Sequence, residues 1–362
     1  MLIRIHDDVI DAAVQNDNTA IGVLEKLALA YKYGSHLVSA SLRSLNQLVA
    51  IQYIPELYRH IYSQIKSREA TMQPVYSQIQ TYITVSMSPV VGSPRNIICS
   101  QWGDFKFYAE THVLVENLSD YEFFSIILKH YQRKQGIKGC TCCSYPIQGG
   151  GDAMSRVYKK EIDDKHYFCI ALMDSDKKYP SASIGETAKK IISLDSKHHP
   201  IHCHYYVMQD VREVENLIPL RIIHENTNYA KYDIFSNQYS FDFSYFDFKE
   251  GFNACKKKMG VGYLNYWNSQ FSQNAQVLAL LRECHECECV CNPTAEECKQ
   301  QCKTIKLIGG FGSKLLDTIL NSSNEKLLAC TDADLSQVQQ DEWSRIGKVI
   351  FEWSCAPTHI AT

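Results

Sequence analysis

The sequence lacks any apolar run near the roughly 18 to 20 residues that a membrane-spanning helix needs, so no such helix is expected. It lacks an excess of charge of either sign: 37 Lys and Arg stand against 40 Asp and Glu, a formal net charge of −3. A balance of this kind carries no global nucleic-acid signature, so a nucleic-acid partner must meet a local basic surface. Internal repeats are absent too, which argues against a solenoid or propeller. The opening stretch, Met1-Leu2-Ile3-Arg4-Ile5-His6-Asp7-Asp8, lacks the long apolar segment of a signal peptide, and the expected compartment is the cytoplasm.

Cysteine, by contrast, is plentiful, with 15 in 362 residues. In a cytosolic chain this density points to metal binding before disulfides. Six cysteines fall between residues 284 and 302 as Cys284-x-x-Cys287-x-Cys289-x-Cys291 and Cys298-x-x-x-Cys302, with His285 among them. Cys284, Cys287, Cys298 and Cys302 make the best tetrahedral zinc set. Cys289, Cys291 and His285 are possible substitutes, and disulfides or free thiols are the alternative. A closed four-ligand zinc leaves no position for substrate, so its role would be structural.

The apolar fraction of 45% and charged fraction of 21% are those of an ordinary globular protein, long enough for one large domain or two to three smaller ones. Three regions are expected: a helical N-terminal region over 1–94, an α/β core over 95–220 and a C-terminal region over 221–362 with the cysteine cluster. In the first region, apolar residues recur at spacings of three and four through Leu24, Leu27, Leu45, Leu48, Ile61 and Ile65. Pro74 is placed at the start of a further helix. The whole reads as a scaffold or self-association module, and Ser88 to Pro94 as the turn that ends it.

The core carries three apolar runs that each end in acid: His112 to Glu116, Phe168 to Asp176, and His204 to Asp210, the last followed by Glu213-Val214-Glu215-Asn216. Unalternating apolar runs predict strands covered on both faces. A helix is expected from Tyr121 to about Lys134, with Ser119 as its cap and Glu122 closing a capping box. Residues 136–151 read as a loop ending in Gly149-Gly150-Gly151. Helices are expected from Asp152 to Ile162 and from Glu186 through Leu194, the second opened by a capping box at Ser183. The alternation of strands and helices predicts a mostly parallel sheet, with the acids on its C-terminal rim. Carboxylates gathered on one rim repel one another unless a cation lies between them, so magnesium or manganese is the expected cofactor. Glu116, Asp174 and Asp176 are the first choices as ligands. Asp120 and Glu215 would hold a second ion or orient water, and Lys177 or Lys178 would stabilise a phosphorane. Taken singly, each acid has the plainer reading of a surface residue at a helix N-terminus. Farther on, Tyr239 to Phe246 permits a strand, Lys256-Lys257-Lys258 is a small basic patch, Ser336 to Lys348 reads as a helix, and Val349 to Trp353 as a short strand.

The ordered set resembles the Toprim (topoisomerase–primase) fold, and more narrowly the Toprim-like nucleases of the overcoming-lysogenisation-defect family and related antiphage proteins. The matching stretches are Leu114-Val115-Glu116-Asn117-Leu118-Ser119-Asp120, Leu172-Met173-Asp174-Ser175-Asp176 and Val214-Glu215-Asn216-Leu217. They span residues 110 to 220, and Trp343 to Phe351 resembles the end of the same proteins. Asn117 stands where that family has glycine. The resemblance implies a metal-dependent nuclease acting on DNA or RNA in antiphage defence, either self-associating or working with a regulatory subunit. Two other readings stay open: an aspartyl phosphohydrolase with Asp174 as nucleophile, and a non-catalytic sensor of nucleotide or nucleic acid.

Overall fold

The computed structural model describes residues 1–93, 95–101, 104–227, 242–253, 256–270 and 306–358. The chain divides into two interleaved units. One holds Met1–Met173, Lys190–Tyr206 and Ser344–Thr362; the other holds Asp174–Lys189 and Val207–Trp343.

Unit one begins with a parallel sheet. Strands β1 (Leu2–Ile5), β2 (Leu37–Ser39), β3 (Ile83–Ser86) and β4 (Asn96–Ile98) lie in the order β2-β1-β3-β4. Helices α1 (Asp7–Val14), α2 (Asn18–Lys32), α3 (Leu42–Ala50) and α4 (Glu56–Tyr76) connect them. The expectation of a purely helical N-terminal region is therefore corrected: it is itself α/β. Strands β1 to β3 are three or four residues long and buried almost throughout, and β4 has only three residues with Ile97 alone buried, so none offers a usable period-2 alternation to distinguish it from helix. The helices carry ordinary caps, with the Ala20 amide donating to Asp17 Oδ1 at 2.8 Å and the Ser44 amide to Ser41 Oγ at 3.1 Å. Pro74 lies inside the last turns of α4 rather than opening a helix.

The second sheet of unit one has the order β7-β5-β8-β9, from β5 (Thr111–Val115), β7 (Ser144–Gln148), β8 (Cys169–Met173) and β9 (Cys203–Val207). β5 pairs in parallel with β7 on one side and with β8 on the other. Helices α5 (Leu118–Lys134), α6 (Met154–Asp164) and α7 (Glu186–His198) alternate with these strands, as expected for α/β. Two expectations fail here. Residues 136–151 are not a plain loop, because they hold β7 and the short strand β6 (Cys140–Cys142). Nor is α5 capped by Ser119: its N-cap is Asn117, and Asp120 returns the bond to the cap's own amide at 2.9 Å. The capping box is Asn117 with Asp120, two residues earlier than the expected Ser119 with Glu122.

The last described helix, α11 (Gln337–Ser354), runs straight through Val349 to Trp353. The predicted short strand there is corrected to helix. Ile346, Ile350 and Trp353 are buried at helical spacing, and a five-residue stretch with four apolar residues reads equally well either way. The strand that does follow is β12 (Cys355–Pro357), antiparallel to β6.

Unit two contains a 3-10 turn at Val214–Leu217 and helices α8 (Leu220–Asn226), α9 (Lys256–Gln270) and α10 (Leu315–Ala329). Strands β10 (Gly251–Asn253) and β11 (Lys306–Gly309) pair antiparallel. Its core is aromatic, with Phe246, Phe248 and Trp267 fully buried. Of the expected strand over Tyr239 to Phe246, residues 239–241 lie outside the described residues, and Asp242 to Phe246 form turns.

Candidate functional site

Strands β5 and β8 run side by side in parallel, with Leu114 opposite Ala171. Glu116 follows the last residue of β5, and Asp174 follows the last residue of β8. Each acid is thus the first residue beyond a buried strand, the position at which open α/β sheets present ligand-binding groups.

In unit one, Glu116 is half-buried beside the glycine loop. The amide of Gly149 donates to Val115 O at 2.8 Å and that of Gly150 to Glu116 O at 3.1 Å. Gly150 and Gly151 have positive φ, 64° and 44°, and a Cβ on Gly151 would lie 3.8 Å from Glu116 Oε1. A Cβ on Gly149 would come within 2.7 Å of the Met154 side chain. The three glycines are therefore required by close approach and left-handed backbone, and they form a fixed loop against the carboxylate. Asn117 has an extended backbone (φ −128°, ψ 154°), which any residue adopts, so the turn beneath Glu116 has no need of glycine. Asp120 is buried and tied to α5 as its capping partner, a positioning role.

In unit two, Asp174 is bound to the acidic turn, because the amide of Val214 donates to its Oδ1 at 3.1 Å. Ser175 is fully buried and donates to Val211 O at 2.6 Å. Asp176 is exposed and takes the left-handed conformation, φ 54°. Gly185 packs so closely on it that a Cβ there would lie within 2.7 Å of Asp176 Cγ. A non-glycine residue held at positive φ is a local cost that surrounding structure must impose, as functional segments often do. Lys177 donates from Nζ to Gln209 O at 2.9 Å, so its ammonium is engaged with backbone.

Glu215 is 3% exposed and Glu213 6%. Both face Lys249, whose Nζ lies 3.1 Å from Glu215 Oε2 and 3.5 Å from Glu213 Oε2. Burial, and then the neighbouring charge of Glu215, push the Glu213 carboxyl up to about 7. Burial opposes the charge of Lys249, but Glu215, Glu213 and Asp174 outweigh it and raise its pKa. Arg212 pairs with Asp247 at 2.5 Å. Sequence reasoning missed Lys249 and Glu213 as site residues. Lys249 belongs to a turn that follows an aromatic stretch, and no local motif ties it to the acids.

Among the described residues, no three His, Cys, Asp or Glu side chains are grouped so as to hold a metal ion together. Cys284, Cys287, Cys298 and Cys302, with Cys289, Cys291 and His285, lie outside the described residues, and so do residues 271–305 as a whole. Lys256 to Lys258 begin α9. Comparison with known proteins adds no family. No family model, curated protein or solved structure matches the chain. The described helices include none long and apolar enough to cross a membrane.

Proposed function

We propose that the chain is a metal-dependent nuclease that hydrolyses phosphodiester bonds of DNA or RNA. The observation that carries this reading is the pairing of β5 with β8, two buried parallel strands that hand over directly to Glu116 and to Asp174-x-Asp176. The donor set fits magnesium or manganese by chemistry, since carboxylate oxygens are the hard ligands these ions take. Glu116 after β5 and Asp174 with Asp176 after β8 are the proposed ligands by residue type and by place in the chain, not as a preformed three-ligand cluster among the described residues. When bound, it neutralises charge on the phosphorus oxygens and lowers the pKa of water.

The chain's own residues supply the rest. The fixed Gly149–Gly151 loop keeps Glu116 in place, and Asp120 holds the start of α5. The bond from the Val214 amide ties Asp174 to the turn that carries Glu215, and Lys249 compensates the buried charge there. Lys177 is better suited to holding the segment after Asp176 through Gln209 than to meeting a phosphorane. A role in antiphage defence rests on the family resemblance. The proposal of a structural zinc on the Cys284–Cys302 cluster rests on the spacing and density of its cysteines.

The test is cleavage of duplex DNA, single-stranded DNA, transfer RNA and other structured RNA, with magnesium or manganese against EDTA. Wild type is expected to cleave at least one of these in a metal-dependent way. Asp174→Ala is expected to lose at least about 100-fold of that rate, as removal of a main charge-stabilising group does. A folded Asp174→Ala variant that cleaves at the wild-type rate removes the assignment.

A further inference from the structure

Three thiols share one small ribbon in unit one. Cys140 and Cys142 are the ends of β6, and Cys355 opens β12, which pairs antiparallel to it. The register sets Cys355 opposite Cys142, Ala356 opposite Thr141 and Pro357 opposite Cys140. One residue beyond, the amide of Cys143 donates to Ser354 O at 2.8 Å. Facing pairs in an antiparallel ladder alternate between hydrogen-bonded and non-hydrogen-bonded. Cys143 with Ser354 is a hydrogen-bonded pair, so Cys142 with Cys355 is a non-hydrogen-bonded one. Such pairs bring their Cα atoms to about 4.5 Å, with both side chains on one face. A disulfide spans Cα separations of about 4.4 to 6.8 Å. Rotation of the two side chains is thus enough to join the sulfurs.

The neighbouring thiols are placed less well. Cys140 faces Pro357, and Cys143, one residue along from Cys142, projects to the opposite face of the ribbon. Gln132 Nε2 donates to Cys142 Sγ and Cys355 Sγ donates to Glu352 O, both at 3.7 Å. Sulfur is a weak hydrogen-bonding partner, so a rotating thiol gives up such contacts at little cost. The two cysteines differ in access. Cys355 is fully buried, whereas Cys142 is half-buried and lines a cavity of about 370 Å3. The exposed Lys129 lines the same cavity, which therefore reaches solvent. A small oxidant entering there meets Cys142 first.

We propose that Cys142 and Cys355 are a modification site, a thiol pair that hydrogen peroxide closes to a disulfide. The Cys142 thiolate attacks one peroxide oxygen; the O–O bond breaks, hydroxide leaves and a sulfenic acid forms. The Cys355 thiolate then attacks the Cys142 sulfur; the S–O bond breaks, the S–S bond forms and a second hydroxide leaves. The two thiol protons and the two hydroxides make two waters. Two thiols have lost two electrons, and one peroxide has gained them. The bond ties the strand after α11 to the segment that leads into β7 and the Gly149–Gly151 loop. Burial raises the pKa of both thiols, so thiolate is scarce near neutral pH and closure is slow. The pair is a clasp set by sustained oxidation rather than a rapid sensor. It lies within unit one and does not rest on the nuclease reading.

The experiment treats the reduced full chain with hydrogen peroxide, alkylates the remaining thiols and maps the unreduced tryptic peptides by mass spectrometry. The expected product joins residues 139–156 to residues 349–362, with loss of two hydrogens, and separates on reduction. Cys140→Ser with Cys143→Ser leaves Cys142 as the one thiol of the first peptide, and the link is expected to persist. Cys142→Ser is expected to lose it. Cys142 that stays alkylated while other cysteines are oxidised overturns the proposal, as does a link that survives Cys142→Ser. The closed chain is also expected to melt about 2 °C or more above the reduced one, because the bond restricts the unfolded chain. An equal rise in Cys142→Ser overturns the clasp. Should Cys142→Ser fail to fold, the double variant decides, and absence of the link there overturns the proposal. Cleavage of nucleic acid is not among the readouts, so failure here leaves the nuclease assignment standing, and the reverse holds too.

Discussion

Single residues in this protein are set by what surrounds them more than by their type. His204 is an example in unit one. It is largely buried, stacked on Trp353 with ring centroids 5.8 Å apart, and its pKa is lowered to about 4 by burial and then by the charge of Arg95. Arg95 is held where it is by the carbonyls of Ile201 and Cys203, at 2.7 and 3.1 Å. The unfolded chain takes up a proton near the ordinary histidine pKa of about 6.5, while the folded chain resists it down to about 4. The stabilisation is therefore complete above pH 6.5 and is lost as pH falls toward 4. Discounted for partial exposure, the loss is on the order of 2 kcal/mol. His204→Phe keeps the stacking and removes the titration. Urea denaturation at pH 7 and at pH 4.5 should show a smaller acid-induced loss in the variant. Parallel losses in both proteins would sink this account.

At the scale of elements, the second sheet of unit one is held by close approaches between helices as well as by strand pairing. Gly347 on α11 is buried against Tyr131 on α5, and a Cβ there would lie within 2.8 Å of Tyr131 Cγ. Two helices approach this closely only where one lacks a side chain. Gly347→Ala gains about 1 kcal/mol in helix propensity. It loses more by overpacking, about 1–3 kcal/mol and occasionally above. The expected net result is destabilisation by up to about 2 kcal/mol, read as a lower melting temperature with unchanged helix content. A variant that melts at or above the wild-type temperature would show that α11 shifts freely on α5. The same logic explains Gly149 and Gly185, which admit Met154 and Asp176 at distances that no Cβ would permit.

At the scale of the whole molecule, the two units share one chain that passes between them several times. Asp174, the first acid of the Asp-x-Asp motif, is also the first residue of unit two. The proposed zinc is likewise a property of the whole chain, since its ligands occupy a segment between α9 and β11. Metal analysis of chain purified without chelator should find about one zinc per chain, as a four-ligand structural site requires. Cys284→Ser with Cys287→Ser should release it. Native chain free of zinc would exclude the site.

The sequence alone determined β5, β8 and β9 and the helices α5 to α7 among them, but not β6 and β7, which it read as loop. There the signals are local: unalternating apolar runs for the buried strands β5 and β8, an apolar face for α5, and an acid directly after β5 and β8, whereas β9, expected to be covered on both faces, is buried only at Cys203. Those signals act within a few residues, so the chain carries them without its fold. The tertiary structure decided what depends on distant partners. The three- and four-residue strands β1 to β4 exist because they pair with one another, and no window of sequence that short favours strand over helix. The structure also places the cap of α5 at Asn117, not Ser119. Lys249 became part of the site only when the fold brought its ammonium to Glu213 and Glu215, an electrostatic contact across residues that no motif links. Local sequence sets periodicity and caps, whereas burial and charge pairing arise from packing, and packing exists only once the chain has folded.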